Sequence, residues 1–156
     1  MDSSPLAVLV VDDEPAVREV LSLRIEGWGF DVTTVPDVAE AERELDRRAP
    51  DIILCDVVLP GGSGLELLKR VKRQDERLPV VMITAHGNID AAVEAMKSGA
   101  TDFLTKPLDY DVLRALLVAT WSDVCQRRDT RSLDARLARH HGNDAGRRMD
   151  QRAAVG

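Results

Sequence analysis

The feature that most constrains the fold is a regular alternation of short apolar runs with longer segments of helical periodicity. Residues 6–11 form one such continuous run, and four further strand-like segments follow before residue 121. Continuous apolar runs are typical of strands that are buried on both faces of a parallel sheet covered by helices. We therefore predict an α/β fold, a doubly wound (βα)5 parallel sheet. The predicted strands are residues 6–11, 32–35 (at an edge), 52–55, 80–83 and 103–105.

Helix start signals lie between these runs. Pro15 suits the first turn of a helix that begins near Glu14, because proline lacks the amide hydrogen that this turn leaves unpaired. Short polar side chains precede the other periodic segments, and such residues accept hydrogen bonds from free amides of a first helical turn. The predicted N-caps are Asp37, Ser63 (in a capping-box pattern with Glu66), Asn88 and Asp109. The apolar face of the fourth helix is predicted at Ile89, Ala92, Val93 and Met96.

Composition narrows the class of protein. None of the apolar runs approaches the roughly 20 residues of a membrane helix, and the N-terminus lacks the pattern of a secretory signal. The two cysteines, Cys55 and Cys125, make no disulfide framework. We therefore expect no membrane partner and a cytoplasmic location.

Charge is unevenly distributed along the chain. The net charge is −6, and the segment from Trp121 onward has 8 Arg and 5 Asp, so it carries +3 and the preceding part carries −9. An acidic body argues against direct nucleic-acid binding by this chain. The periodicity predicts one domain over residues 5–121, a helical extension or linker over 122–142, and a disordered tail over 143–156, with Gly142 and Asn143 as a helix stop.

Polar residues follow four of the five predicted strands. Asp12 and Asp13 come after the first strand, Asp56 after the third, Thr84 after the fourth and Lys106 after the fifth. The carboxyl ends of parallel strands meet at one edge of the sheet, where ligand sites form in folds of this kind. We therefore expect these five side chains to converge.

The residue types at this edge indicate phosphate chemistry. Packed carboxylates repel one another unless a cation lies between them, and Mg²⁺ suits an all-oxygen site. A metal beside Asp56 would let that carboxylate act as a nucleophile toward phosphate. The Lys106 ammonium and the Thr84 hydroxyl could then bind the phosphoryl oxygens.

Four stretches together resemble the receiver domain of bacterial two-component response regulators, most closely those of the nitrogen-regulatory class. They are VVDDEP (10–15), DVVLPGGSG (56–64), VMITAHG (81–87) and GATDFLTKPL (99–108). The resemblance extends from residue 6 to about residue 121. It implies a flavodoxin-like sheet with strand order 2-1-3-4-5.

The resemblance also implies a role for each matching residue. Asp56 matches the phosphoacceptor, which receives its group from a sensor histidine kinase and does not act as an enzyme on other substrates. Thr84 and Phe103 match the two switch residues, and the Lys106-Pro107 bond matches the cis peptide of the family. The implied ligands of Mg²⁺ (or Mn²⁺) are Asp12, Asp13, Asp56 and the backbone carbonyl of Val58.

Several alternatives stay open at this stage. Burial in the core would explain Phe103 as well as switching does, and His86 could be either a modulator of phosphate hydrolysis or an ordinary loop residue. A Mg²⁺-dependent phosphohydrolase of the haloacid dehalogenase type is a rival, although it needs Asp-x-Asp where this chain has adjacent Asp12 and Asp13. A flavodoxin-like nucleotide or flavin binder is a third, although aromatic residues for stacking are lacking near the strand ends.

The output of such a switch is expected at the face formed by the fourth helix, fifth strand and fifth helix. That face, or the C-terminal helix, would form a homodimer or bind an effector. The sequence shows neither an ATPase motif nor room for a DNA-binding helix-turn-helix after residue 121. The chain is expected to be a stand-alone receiver or the N-terminal fragment of a longer transcriptional regulator.

Overall fold

The computed structural model describes residues 5–85 and 88–144, and it describes side chains as far as Arg127. His86 and most of the expected tail, residues 145–156, lie outside this part of the chain. The chain divides into two units, one formed by Pro5–Thr120 and the other including the residues from Trp121 onward. The candidate site lies entirely in the first unit.

Seven strands occur in the described residues. They are β1 (Ala7–Val11), β2 (Asp31–Val35), β3 (Ile52–Asp56), β4 (Val58–Leu59), β5 (Gly62–Ser63), β6 (Val80–Thr84) and β7 (Asp102–Thr105). Five of them form one parallel sheet in the order β2-β1-β3-β6-β7. This is the predicted order 2-1-3-4-5, so the flavodoxin-like fold is confirmed. The other two, β4 and β5, form a two-residue antiparallel ribbon that was not predicted.

The position of each strand in the sheet explains its composition. Every residue of β3 and β6 is buried, because neighbouring strands flank both edges and helices cover the faces. The strands β2 and β7 lie at the two edges, and their residues alternate between more and less exposed positions. The apolar runs of the sequence therefore correspond to the interior strands, and the weaker patterns correspond to the edges.

Five helices connect and follow the strands. They are α1 (Pro15–Gly27), α2 (Val38–Arg47), α3 (Gly64–Gln74), α4 (Ile89–Lys97) and α5 (Tyr110–Asp144). Among the described residues, no helix combines the length and apolar character that a membrane crossing requires. The helix α5 passes the predicted stop at Gly142 and Asn143 by one residue.

The predicted N-caps are confirmed. The side chains of Asp37 and Asn88 accept hydrogen bonds from the amides of Glu40 and Ala91. Ser63 accepts one from Leu65, two residues on, rather than from Glu66 as a capping box would require. Asp109 accepts hydrogen bonds from the amides of Asp111 and Val112. These four helices therefore begin where a local side chain accepts a hydrogen bond from the free amides of the first turn, whereas α1, which begins at Pro15, has no such cap.

The buried face of α4 differs from the prediction. Ile89, Val93 and Met96 are exposed by 71%, 46% and 44%, whereas the buried residues of this helix are Ala92 and Ala95. Small side chains let the helix backbone approach the sheet closely, and the large apolar side chains then point outward. The helix therefore presents an apolar face that the rest of the first unit does not cover.

Candidate metal and phosphoryl site

The carboxyl ends of four neighbouring strands meet at one edge of the sheet. Asp12 follows β1, Asp56 ends β3, Thr84 ends β6 and Lys106 follows β7. One ligand oxygen from each of Asp12, Asp13, Glu14 and Asp56 lies within 4.8 Å of the others. The predicted acidic side chains therefore form one cluster, and Glu14 joins them.

Asp56 is held at both of its carboxylate oxygens. Its side chain is 11% exposed. The oxygen Oδ1 accepts a hydrogen bond from the Val58 amide at 3.0 Å, and Oδ2 accepts one from Lys106 Nζ at 2.9 Å. These two contacts fix the orientation of the carboxylate and leave a small part of it open to an incoming group.

The Lys106 ammonium lies among three carboxylates. Its Nζ is 2.9 Å from Asp56 Oδ2, 3.0 Å from Glu14 Oε1 and 3.1 Å from Asp12 Oδ2. Burial lowers the pKa of Lys106, but its hydrogen bonds to Asp56 and Glu14 and its ion pair with Asp12 outweigh burial and raise that pKa well above the usual range. The side chain is therefore positively charged at neutral pH. The Lys106-Pro107 peptide bond is cis, as the resemblance implied.

Asp12 is fully buried and has one carboxylate oxygen without a hydrogen bond. The oxygen Oδ1 accepts from the Glu14 amide at 2.9 Å, and Arg18 Nη1 donates to the backbone carbonyl at 2.7 Å. The oxygen Oδ2 is close enough to Lys106 Nζ for an ion pair but accepts no hydrogen bond from the described residues. Burial raises the pKa of Asp12, and the Glu14 amide and Lys106 oppose this only in part.

This unsatisfied oxygen fits a divalent cation. A buried carboxylate oxygen without a hydrogen bond is costly, and coordination to a metal removes that cost. The exposed carboxylate of Asp13 lies within the same cluster. Oxygen-only ligands suit Mg²⁺ or Mn²⁺ rather than metals that prefer sulfur or imidazole. The residues present are therefore suited to the metal that the sequence predicted.

Thr84 and Phe103 lie on the neighbouring strands β6 and β7. Thr84 is buried, and its hydroxyl donates to the carbonyl of Ala85 at 3.5 Å, a long contact. Phe103 is 38% exposed, so burial in the core does not account for it. Val58 donates its amide to Asp56, and its apolar side chain is 68% exposed.

Cys55 is a buried neighbour of Asp56 with no reactive character. Burial raises the pKa of its thiol, and the negative charges of Asp56 and Asp12 raise it further. The thiol therefore stays protonated and packs as a small apolar group.

Two contacts at the site were not predicted. The sequence showed Glu14 directly after Asp12 and Asp13, but its contact with Lys106 spans 92 positions and has no local signal. Gly64 begins α3 against the backbone of Asp56, and a Cβ atom there would collide with the Asp56 carbonyl oxygen and lie 3.1 Å from Cys55 Sγ. The Gly64 amide also donates to the carbonyl of Val57 at 2.8 Å. The first turn of α3 thus rests directly on the chain that carries Asp56.

Comparison with known proteins gives a family match over most of the first unit. The model of the response regulator receiver domain family matches residues 8–118. The response regulator protein PilR of Pseudomonas aeruginosa is 44% identical over 109 residues, which are 70% of this chain and 24% of PilR. The DNA-binding transcriptional regulator NtrC of Escherichia coli is 40% identical over 126 residues, 81% of this chain and 27% of NtrC.

A solved structure gives the same family. The crystal structure of the receiver domain of NtrX from Brucella abortus is 38% identical, with a TM-score of 0.69, and the match covers 72% of this chain and 96% of that domain. This chain thus spans about a quarter of the length of PilR and NtrC and nearly all of an isolated receiver domain.

Proposed function

The chain belongs to the response regulator receiver domain family, and on that premise we propose that it is a phosphorylation switch whose phosphoacceptor is Asp56. The observation that carries the proposal is the contact between Asp56 Oδ2 and Lys106 Nζ at 2.9 Å beside the buried Asp12 carboxylate. One small site then contains a nucleophile, a positive charge and candidate metal ligands.

In the proposed reaction, a carboxylate oxygen of Asp56 forms a bond to phosphorus. The bond from phosphorus to the imidazole nitrogen of a phosphohistidine breaks, and that nitrogen keeps the electron pair. The Lys106 ammonium stabilises the negative charge on the transferred oxygens. The Thr84 hydroxyl has only a long hydrogen bond in the structure, so turning it toward those oxygens breaks no strong contact.

A Mg²⁺ or Mn²⁺ ion would be held by Asp12, Asp13, Asp56 and the backbone carbonyl of Val58. When bound, it supplies neutralisation of the charge on the carboxylates and on the phosphoryl group. Support comes from the unsatisfied Asp12 Oδ2 and from the clustering of the carboxylates.

The proposed output surface is formed by α4, β7 and the start of α5. Movement of Thr84 toward the phosphoryl group would make room for Phe103, which is only partly buried and lies on β7, the strand that follows α4 in the chain. Repacking of Phe103 would change that surface and bias a homodimer or effector contact. The partner that supplies the phosphoryl group would be a sensor histidine kinase in the cytoplasm.

The role of the whole protein is also a proposal. PilR is named a response regulator and NtrC a DNA-binding transcriptional regulator, and this chain matches about a quarter of each. We propose that the receiver controls a transcriptional output carried by a longer chain or by a partner, and that nucleic acid is not bound by these residues. An Asp-nucleophile phosphohydrolase is not favoured, and turnover of phosphomonoesters would be the sign of it.

Phosphoryl transfer from acetyl phosphate in the presence of Mg²⁺ tests the site. We expect wild type and Asp46→Asn to be labelled equally, since Asp46 is exposed on α2, and Asp56→Asn to lose the label. Equal labelling of Asp56→Asn would show that the phosphoacceptor lies elsewhere.

A further inference from the structure

The Lys106 ammonium is shared among more carboxylates than phosphate binding requires. It has three N–H donors, and three carboxylate oxygens lie within 3.1 Å of Nζ. Two of these oxygens belong to Asp12 and Asp56, which are proposed metal ligands. The third belongs to Glu14, which is outside the proposed ligand set.

The ammonium and a divalent cation would compete for the same oxygens. Asp12 Oδ2 and Asp56 Oδ2 both face Nζ, so a cation bound to either oxygen would lie close to a positive charge. Two positive charges that contact the same carboxylate oxygen repel each other strongly in a partly buried site. Lys106 must therefore withdraw from these two oxygens while staying near enough to bind a phosphoryl group on Asp56.

Glu14 offers a place for the withdrawn ammonium. Its side chain is 58% exposed, whereas those of Asp12 and Asp56 are 0% and 11% exposed. It therefore lies on the solvent side of the ammonium, and it already contacts Nζ at 3.0 Å. A small rotation of the flexible lysine side chain would keep this contact and release the other two.

We propose that Glu14 is a positioning residue that holds Lys106 at the rim of the site when a divalent cation takes Asp12 and Asp56. This inference rests on the proposed function, because it assumes a metal-dependent site. Without Glu14, the ammonium would be paired only with Asp12 and Asp56 and would oppose metal binding more strongly. The effect of Glu14 on metal affinity should therefore depend on Lys106.

A double-mutant cycle on the full chain measures this dependence. Mg²⁺ would be titrated by calorimetry into wild type, Glu14→Gln, Lys106→Met and the double variant, with Glu19→Gln as a control for an exposed charge on α1. We expect Glu14→Gln to weaken Mg²⁺ binding by roughly 2- to 10-fold when Lys106 is present and by less than about 2-fold when it is Met, a typical coupling for contacting groups. Glu19→Gln should leave the affinity unchanged.

A direct charge effect of Glu14 predicts the opposite pattern. If Glu14→Gln weakens Mg²⁺ binding equally or more in the Lys106→Met background, Glu14 acts on the metal itself and the proposal is wrong. A second measurement needs no Lys106 variant: the nitrogen-15 resonance of the Lys106 ammonium in Mg²⁺-loaded protein should shift in Glu14→Gln, and an unchanged resonance would overturn the proposal. Neither measurement uses phosphorylation, so failure here is distinct from failure of Asp56 as phosphoacceptor.

Discussion

At the scale of single residues, the buried carboxyl of Asp12 is held in a state that costs stability. Burial raises its pKa above the ordinary value of 3.8. A carboxyl whose pKa is higher in the folded state contributes stability that is present below the ordinary pKa and is lost as pH rises through the folded pKa. Ionisation of the Asp12 carboxyl therefore opposes folding of the metal-free protein.

The first prediction follows from the upward direction of the Asp12 pKa shift. Asp12→Asn should raise the Tm of the metal-free protein at pH 7, by roughly 4 °C if the relief is about 1 kcal/mol. The gain should shrink as pH falls below the ordinary pKa, because wild-type Asp12 is then protonated in both states. Thermal unfolding with a chelator, and again with Mg²⁺, checks this: Mg²⁺ should stabilise wild type more than the variant. A lower Tm for metal-free Asp12→Asn at pH 7 would contradict it.

The second prediction concerns Phe103. Because its side chain is 38% exposed, Phe103→Ala should cost less than about 1.5 kcal/mol, well under the 3–5 kcal/mol that is usual for a buried phenylalanine. Leu113→Ala, at a fully buried position of α5, provides the matched comparison and should cost about 2–5 kcal/mol. Urea unfolding of both variants gives the two free energies. A loss at Phe103 as large as that at Leu113 would favour the core role over the switch role.

At the scale of elements, the junction between β3 and α3 positions Asp56, the proposed phosphoacceptor. Gly64 begins α3, and its missing side chain lets the helix contact the Asp56 carbonyl directly. The side chain of the same residue, Asp56, accepts hydrogen bonds from Lys106 and from the Val58 amide. The packing of one helix end and the orientation of one carboxylate are therefore coupled through a single backbone contact.

The third prediction tests this junction. Gly64→Ala should slow phosphorylation by acetyl phosphate by at least about 10-fold, because displacement of a reacting group by about 1 Å can cost up to about 100-fold. Gly62→Ala is the matched control, since the nearest atom to its added Cβ would be a Val38 side-chain carbon at 3.4 Å. Rates for both variants should be compared after circular dichroism shows folded protein. Equal rates in the two variants would mean that α3 adjusts without moving Asp56.

At the scale of the whole molecule, the last helix of the receiver continues beyond the receiver. The helix α5 begins at Tyr110 in the first unit and ends at Asp144 in the second. The matched relatives PilR and NtrC are about four times as long as the region they share with this chain. Residues 122–142 are therefore proposed to act as a linker between the receiver and an output.

The fourth prediction concerns this proposed linker. If the proposed linker over residues 122–142 mediates dimerisation, the full chain should elute as a dimer without acetyl phosphate, and a chain ending at residue 121 should elute as a monomer under the same condition. Light scattering coupled to size-exclusion chromatography gives both masses, with and without acetyl phosphate and Mg²⁺. If both chains are monomers under every condition, the proposed linker dimer is wrong. The proposed dimer through α4, β7 and α5 is then wrong as well.

Local sequence patterns were enough for the five strands of the parallel sheet, the helix starts and the residue types of the site, but not for the ribbon of β4 and β5. The apolar runs and the N-caps Asp37 and Asn88 act over a few neighbouring residues, so their effect can be read along the chain. Because parallel strands end at one edge of the sheet, the sequence then predicted that Asp12, Asp56 and Lys106 would lie close together. The strand order came from the resemblance rather than from these patterns.

Only the tertiary structure decided the contacts made between distant positions. Three features depend on the burial and orientation of side chains within the packed fold. They are the pairing of Lys106 with Glu14, the unsatisfied oxygen of Asp12, and the contact of Gly64 with Asp56. The outward turn of Ile89, Val93 and Met96 has the same origin, because apolar periodicity cannot tell which side of a helix meets the sheet when alanines can fill the contact. Sequence patterns record local preference, whereas burial and charge pairing arise from atoms that the chain brings together from many residues apart.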